Sequence, residues 1–233
     1  METNKEKTSL GDKINDFIQK NRKGIFISLG VIVAAVAGLI AWFLISDSVN
    51  KKAIAAVEEL SAEYERLHSS GNSDYYSAEM DVFLAKIQSF ADNKRGFPGS
   101  KAWSIIGHIY SDRGQWAQAE EAWLKSAQTG EKTYLGPIAY FQAAVAAEEQ
   151  SKLEKAIEYL EKCVSHNFEF PDGPRAQFNI GRLYEQLGNY NAALDAYRDV
   201  MIKWPWERPE TISQNMLIWQ NLARNQIIKL EVR

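Results

Sequence analysis

The sequence is poor in the residues that usually announce chemistry. Of its 233 residues one is cysteine, Cys163. A single thiol excludes an internal disulfide, and the three histidines, His68, His108 and His166, are too scattered to complete a zinc ligand set. Cys163 itself reads as a small buried hydrophobe. Also missing is the basic excess that a nucleic-acid binder needs: the formal net charge is -3. There is no HExxH, no GxSxG and no phosphate-cradling GxxxxGK[ST]. Glu120-Glu121 and Glu148-Glu149 are paired carboxylates, but adjacent helical residues point in different directions, so both pairs read as solvated helix faces. The expectation is a protein that is not an enzyme, with no catalytic residue, cofactor or metal.

Proline is scarce too, with six residues clustered at a few boundaries, whereas alanine, glutamate, leucine and lysine are plentiful. With 45% hydrophobic and 24% charged residues, this mix predicts a folded, all-α chain. One stretch lacks charge altogether. Ile25 to Ile45 reads IFISLGVIVAAVAGLIAWFLI, preceded by Lys20, Arg22 and Lys23 and followed by Asp47. About 20 apolar residues span a bilayer as a helix, and Trp42 falls where an amphipathic ring prefers the interface. A cleaved signal peptide would have a shorter core and a small-x-small cleavage site, but this run ends in Phe43, Leu44 and Ile45. It reads as a retained signal anchor. The cationic flank places residues 1–24 in the cytoplasm and the remainder outside. In a bacterium with two membranes that is a single-pass inner-membrane protein with a periplasmic domain. Gly30, Ala34 and Gly38 recur every four residues, which lets two such helices approach and predicts a homodimer contact as one option.

The rest of the chain repeats itself. Segments starting at Ser100, Pro137 and Pro174 are offset by the same interval. The first carries Gly107, Tyr110, Gly114, Trp116, Ala119 and Trp123, and the third carries Gly181, Tyr184, Gly188, Tyr190, Ala193 and Tyr197 in the same register. The middle copy has Tyr140, Ala144, Ala147, Leu153, Ala156 and Leu160, with Ser151 at a glycine position. This pattern resembles the tetratricopeptide repeat, a helix–turn–helix unit of about 34 residues. The resemblance is reinforced by Trp103 at the opening aromatic position and Pro205 at the closing proline. In that reading the first glycine and the alanine let paired helices pack closely, the second glycine ends the inner helix in a left-handed conformation, and the aromatics plug gaps.

The resemblance implies a right-handed α-solenoid of antiparallel helix pairs behind one transmembrane helix. Residues 46–99 supply juxtamembrane helices forming a degenerate repeat: 49–68, with Ile54, Val57, Leu60, Tyr64 and Leu67 inward, and 78–92, with Val82, Phe83, Ile87 and Phe90 inward, joined by a turn over 69–74. Three repeats fill 100–205, and 206–233 holds a capping helix starting at Pro209, with Ile212, Met216, Trp219, Ala223 and Ile227 facing the stack.

Inner helices of such stacks line a concave groove. Register assigns to it Lys101, Ser104, His108, Ser111 and Asp112 from the first repeat. The second supplies Ile138, Phe141, Val145, Glu148 and Glu149, and the third Arg175, Phe178, Arg182, Glu185 and Gln186. Phe141 and Phe178 are either exposed anchors for a partner helix or peptide, or buried between helices; His108 reads as a surface residue. Ser104 and His108 stand where chaperone-binding members of the family have Lys and Asn, so the resemblance does not extend to that activity.

The layout, with the segment FADNKRGFPGSKAW after the juxtamembrane helices, resembles the ancillary subunit of the bacterial Sec translocon. That resemblance implies a scaffold associating with the translocon and a membrane-anchored periplasmic chaperone. The alternative is a scaffold for envelope assembly or cell division; the lipoprotein form of that class needs a cysteine just after its signal sequence, which this chain lacks.

Overall fold

A computed structural model describes residues 10–69, 74–166, 171–204 and 214–232. Among these residues all regular structure is helical. The elements are α1 (Leu10–Ser69), α2 (Asp74–Asp92), α3 (Gly96–Asp112), α4 (Trp116–Thr129), α5 (Leu135–Glu149), α6 (Leu153–His166), α7 (Gly173–Gln186), α8 (Tyr190–Lys203) and α9 (Gln214–Glu231). Pro205, Pro209, Ile212 and most of the expected turn over 69–74 lie outside the described residues.

The chain divides into two compact units, residues 1–52 and 53–233. The first is described from Leu10, within α1. Its most apolar window has a mean hydropathy of 2.5 and no residue buried by the protein. Val33 and Leu39, for instance, are 60% and 65% exposed. Among the described residues one helix, near the N-terminus, is long and apolar enough to cross a membrane.

The second unit is a file of helices, each packed on its neighbour in sequence from α2 to α9. Proline opens the odd-numbered helices α3, α5 and α7: Pro98, Pro137 and Pro174 each fall in a first turn, where the missing N–H costs nothing. Those helices also end alike. Gly114 (φ 67°), Ser151 (φ 60°) and Gly188 (φ 74°) adopt the left-handed conformation. Each is followed by a residue whose N–H reaches five residues back: Gln115 to Tyr110 (2.8 Å), Lys152 to Ala147 (2.9 Å) and Asn189 to Tyr184 (2.9 Å). With the companion bonds to Ser111, Glu148 and Glu185 these are Schellman caps, which satisfy the last carbonyls of each helix. Asn189 then caps α8, accepting from the Ala192 N–H at 3.2 Å.

Packing inside each pair follows the expected size complementarity. A Cβ on Gly107 would collide with the indole of Trp123, and one on Gly181 would lie 2.6 Å from Cε1 of Tyr197. Trp123 and Tyr197 are correspondingly almost completely buried. In the middle pair Ala144 replaces the glycine, and the smaller Leu160 stands at the register of the aromatic; both are buried in one cluster. The core is continuous in type rather than central. One cluster joins α1 to α4 around Val57, Phe83 and Ile106. A second joins α4 to α8 around Trp123, Leu160 and Leu183. A third ties α8 to α9 through Tyr197, Val200 and Ala223. Each fully buried Leu, Ile or Phe contributes about 1.5–3 kcal/mol.

Three expectations fail. Val82 is 73% exposed: it lies one residue, about 100° of helix, from the buried Phe83. Tyr190, expected to be a buried plug, is 43% exposed, at the first turn of α8. Glu120 is not on a solvated face but 8% exposed. Its carboxylate accepts from Tyr159 Oη (2.9 Å), Gln150 Nε2 (2.8 Å) and Lys152 Nζ (3.0 Å). Burial pushes its pKa up, but these hydrogen bonds together outweigh burial and hold it below the usual carboxylate range. Cys163 is fully buried, and desolvation pushes its thiol up to about 12, so it behaves as the inert hydrophobe expected.

Candidate functional site

The groove positions sit on α3, α5 and α7, as the register implies, but several are engaged by the neighbouring odd-numbered helix. On α3, Lys101 Nζ lies 2.6 Å from Glu58 of α1. Asp112 accepts from Tyr64 Oη at 3.3 Å and faces His68 Nδ1 at 3.4 Å. Across α5 and α7, Arg182 grips Glu148 bidentately, with both bonds at 2.6 Å. Such a planar fork-to-carboxylate pair is geometrically demanding and sets the register of the two helices.

The aromatic pair is buried. Phe141 and Phe178 are each 8% exposed. The Arg175 guanidinium lies 4.7 Å from the Phe141 ring centroid and covers it. Phe178 packs against Tyr197 at 5.2 Å and Trp219 at 5.4 Å, so it anchors α9 onto the stack. The exposed-anchor option is therefore overturned for both. Glu185 accepts from Tyr197 Oη at 2.7 Å. That bond and burial drive the tyrosine pKa well above its ordinary value, burial being the larger cause.

His108 is half-buried rather than a surface residue, edge-on to Trp123 with centroids 5.5 Å apart. Burial lowers its pKa against the pull of Asp112, and His68 adds to the fall, so the imidazole is neutral at pH 7.

What stays half-exposed along these helices is a narrow, mildly polar stripe. Ser104 and Ser111 lie on α3, Ile138 and Val145 on α5, and Glu149 and Gln186 are exposed. Two further residues extend it. Gln142 and Asn179 lie four residues after Ile138 and Arg175, so the same helical spacing that picked out the groove reaches them. Asn179 Oδ1 accepts from Arg182 Nε at 3.1 Å. Nothing here assembles a nucleophile with a base, and the arrangement suits surface recognition rather than bond-making.

Comparison with known proteins agrees with this geometry. Two family models, both described as Tetratricopeptide repeat, match residues 106–168 and 174–201. A TPR repeat-containing protein of Treponema pallidum (strain Nichols) is 28% identical over 211 residues, covering 83% of this chain and 87% of that protein. Among solved structures, a Podosopora anserina putative kinesin light chain with nearly identical TPR-like repeats aligns with a TM-score of 0.50 at 14% identity. The alignment covers 75% of this chain and 91% of that one. A second crystal structure of those repeats gives 0.51 at the same identity and coverage. At such identity the likeness is one of fold. Together these matches support a tetratricopeptide-repeat protein, a class of protein–protein interaction scaffolds that is typically non-enzymatic.

Proposed function

We propose that the chain is a membrane-anchored scaffold whose repeat domain recruits proteins on the extracytoplasmic face. The observation that carries this reading is the pairing, in one chain, of an apolar N-terminal helix left uncovered by protein with a helix-pair stack of a protein-binding class. The anchor is residues 25–45, with residues 1–24 cytoplasmic, and the domain lies in the periplasm of a bacterial inner-membrane protein. Tethering raises the effective concentration of the stack near other membrane proteins. The layout favours clients at the Sec translocon and its periplasmic chaperones; envelope-assembly or division proteins are the alternative clients. Partners meet the stripe formed by Ser104, Gln142, Val145 and Asn179, with Lys101, His108, Asp112, Phe141, Glu148, Phe178, Arg182 and Glu185 shaping it from beneath or beside.

Two experiments test this. A photo-crosslinking residue at Gln142, half-exposed where Phe141 is buried, should capture translocon or chaperone subunits in living cells. Capture of envelope-assembly or division proteins selects the alternative, and capture of neither removes the stripe from the working surface. A reporter active only outside the cytoplasm, fused after Arg233, should be active; an inactive, stable fusion overturns the topology.

A further inference from the structure

The second unit is acidic, with 19 Lys and Arg against 25 Asp and Glu over residues 53–233. Against that background one cleft is basic. It holds about 380 Å³ where α2 turns into α3, and Lys94, Arg95 and Lys125 line it together with Asp92, Trp103 and Thr129. Lys94 and Arg95 belong to the FADNKRGFPGSKAW segment, of which the groove uses Lys101 and not these two.

Two of its cations rest on aromatic rings. The turn carrying Lys94 and Arg95 is pinned by the N–H groups of Asn93 and Lys94, which donate to Phe90 (3.2 Å) and Ala91 (3.3 Å). The Lys94 ammonium lies 5.8 Å from the centroid of the Phe90 ring. On the opposite wall the Lys125 ammonium rests 4.5 Å from the centroid of Trp103. Glu121, its ion-pair partner at 2.8 Å, is itself exposed on the surface of α4. Lys94, Arg95 and Lys125 thus line one cleft, Lys125 shared with Glu121, and the lining carboxylate Asp92 already accepts weakly from Gln88 at 3.4 Å. Groups fixed before binding lose little entropy when a ligand arrives. The net negative charge of the unit weakens non-specific anion binding, so a partner's carboxylates gain most where cations cluster.

We propose that this cleft is a second recognition site, taking an acidic segment of a protein partner through Asp or Glu side chains on Lys94, Arg95 and Lys125. A volume of this size admits several side chains, more than a lone small anion fills. Trp103 is 6% exposed and serves as the rigid support of Lys125 rather than as an anchor. The choice of a protein ligand rests on the scaffold reading above; the anionic chemistry does not.

The test uses the full chain in a non-ionic detergent and a fluorescein-labelled hexaglutamate peptide, followed by anisotropy. Binding is expected at low salt and should fade as ionic strength rises. The double variant K94E/R95E should weaken it by about tenfold or more, because both attraction and steering are reversed. The neutral pair K94Q/R95Q should fall between. The control R224E/K229E, with the same change in net charge but on α9, should bind within about twofold of the parent. Equal losses in K94E/R95E and the α9 control overturn the site, as does absence of binding at low salt. Displacement of the peptide by millimolar inorganic phosphate would make it a small-anion site, and competition by phosphatidylglycerol vesicles a lipid-surface contact; either overturns the proposal. Crosslinking from Gln142 reports on the α5 stripe separately, so failure here and failure of the groove reading are distinguishable.

Discussion

Ser151 occupies a backbone conformation that its two equivalents fill with glycine. The substitution Ser151→Gly is therefore expected to stabilise the domain. A left-handed conformation costs an L-residue about 1–2 kcal/mol. Glycine adds freedom to the unfolded chain, which takes back about 0.4–1 kcal/mol. The difference is a net gain of about 0.5–1 kcal/mol. The Schellman bonds from Ser151 and Lys152 to Glu148 and Ala147 are made by backbone atoms, so they survive the change. In a domain of this size the gain raises Tm by about 1–4 °C. Because repeat arrays need not unfold in one step, hydrogen exchange is the sharper assay: amides of α5 and α6 should exchange about two- to fivefold more slowly, while those of α9 change little. The reverse substitution, Gly188→Ser, should cost a similar amount and loosen α7 and α8. If Ser151→Gly leaves exchange unchanged or accelerates it, the serine conformation is not strained.

Gly181→Ala should destabilise by about 1–3 kcal/mol through its collision with Tyr197, measured as a lower urea midpoint, whereas Ala144→Gly in the middle pair relieves no collision and should not stabilise. Glu120→Ala strips the partner from the buried Tyr159 hydroxyl and from Lys152, and should cost about 2–4 kcal/mol, with Glu120→Gln losing less because an acceptor remains. The folded carboxylate of Glu120 is held below its unfolded value of about 4.3, so its contribution is present above that pH and lost as pH falls through the folded pKa. Stabilities of parent and Glu120→Gln measured by urea titration should accordingly converge in acid; a gap that widens there refutes the assignment. Val36→Arg with Leu39→Arg adds about 2.5–3.5 kcal/mol per residue to insertion and should shift the protein out of the membrane fraction, and retention there would count against the anchor.

The fold was legible because its rules are local. Gly107, Gly181 and the helix-ending Gly114 and Gly188 are required by packing and backbone geometry, so their spacing carries the architecture directly. The degenerate middle copy was readable for the same reason, since Ala144 and Leu160 preserve combined bulk. The groove was less legible because exposure on an odd-numbered helix depends on what the next one places opposite. Phe141 is covered by Arg175 from 34 positions further along the sequence, and Glu148 is claimed by Arg182. Periodicity within a helix gives a face its direction but not its cover. Glu120 was misread likewise: its partners Gln150, Lys152 and Tyr159 all lie in the following pair.

The helices of the second unit touch chiefly those next to them in order, with α3 meeting α5 and α7 meeting α9 one step further on. Such an array is wired in series. A loss at α9 shortens it by one link, whereas a loss of equal size at α5 and α6 opens the circuit and leaves two stubs. The strained serine turn sits in that middle link, and the Glu120 cluster and the Arg182–Glu148 pair clamp it from either side. Evolution can therefore tune how far the stack opens by adjusting one turn, leaving the end links and whatever they carry undisturbed.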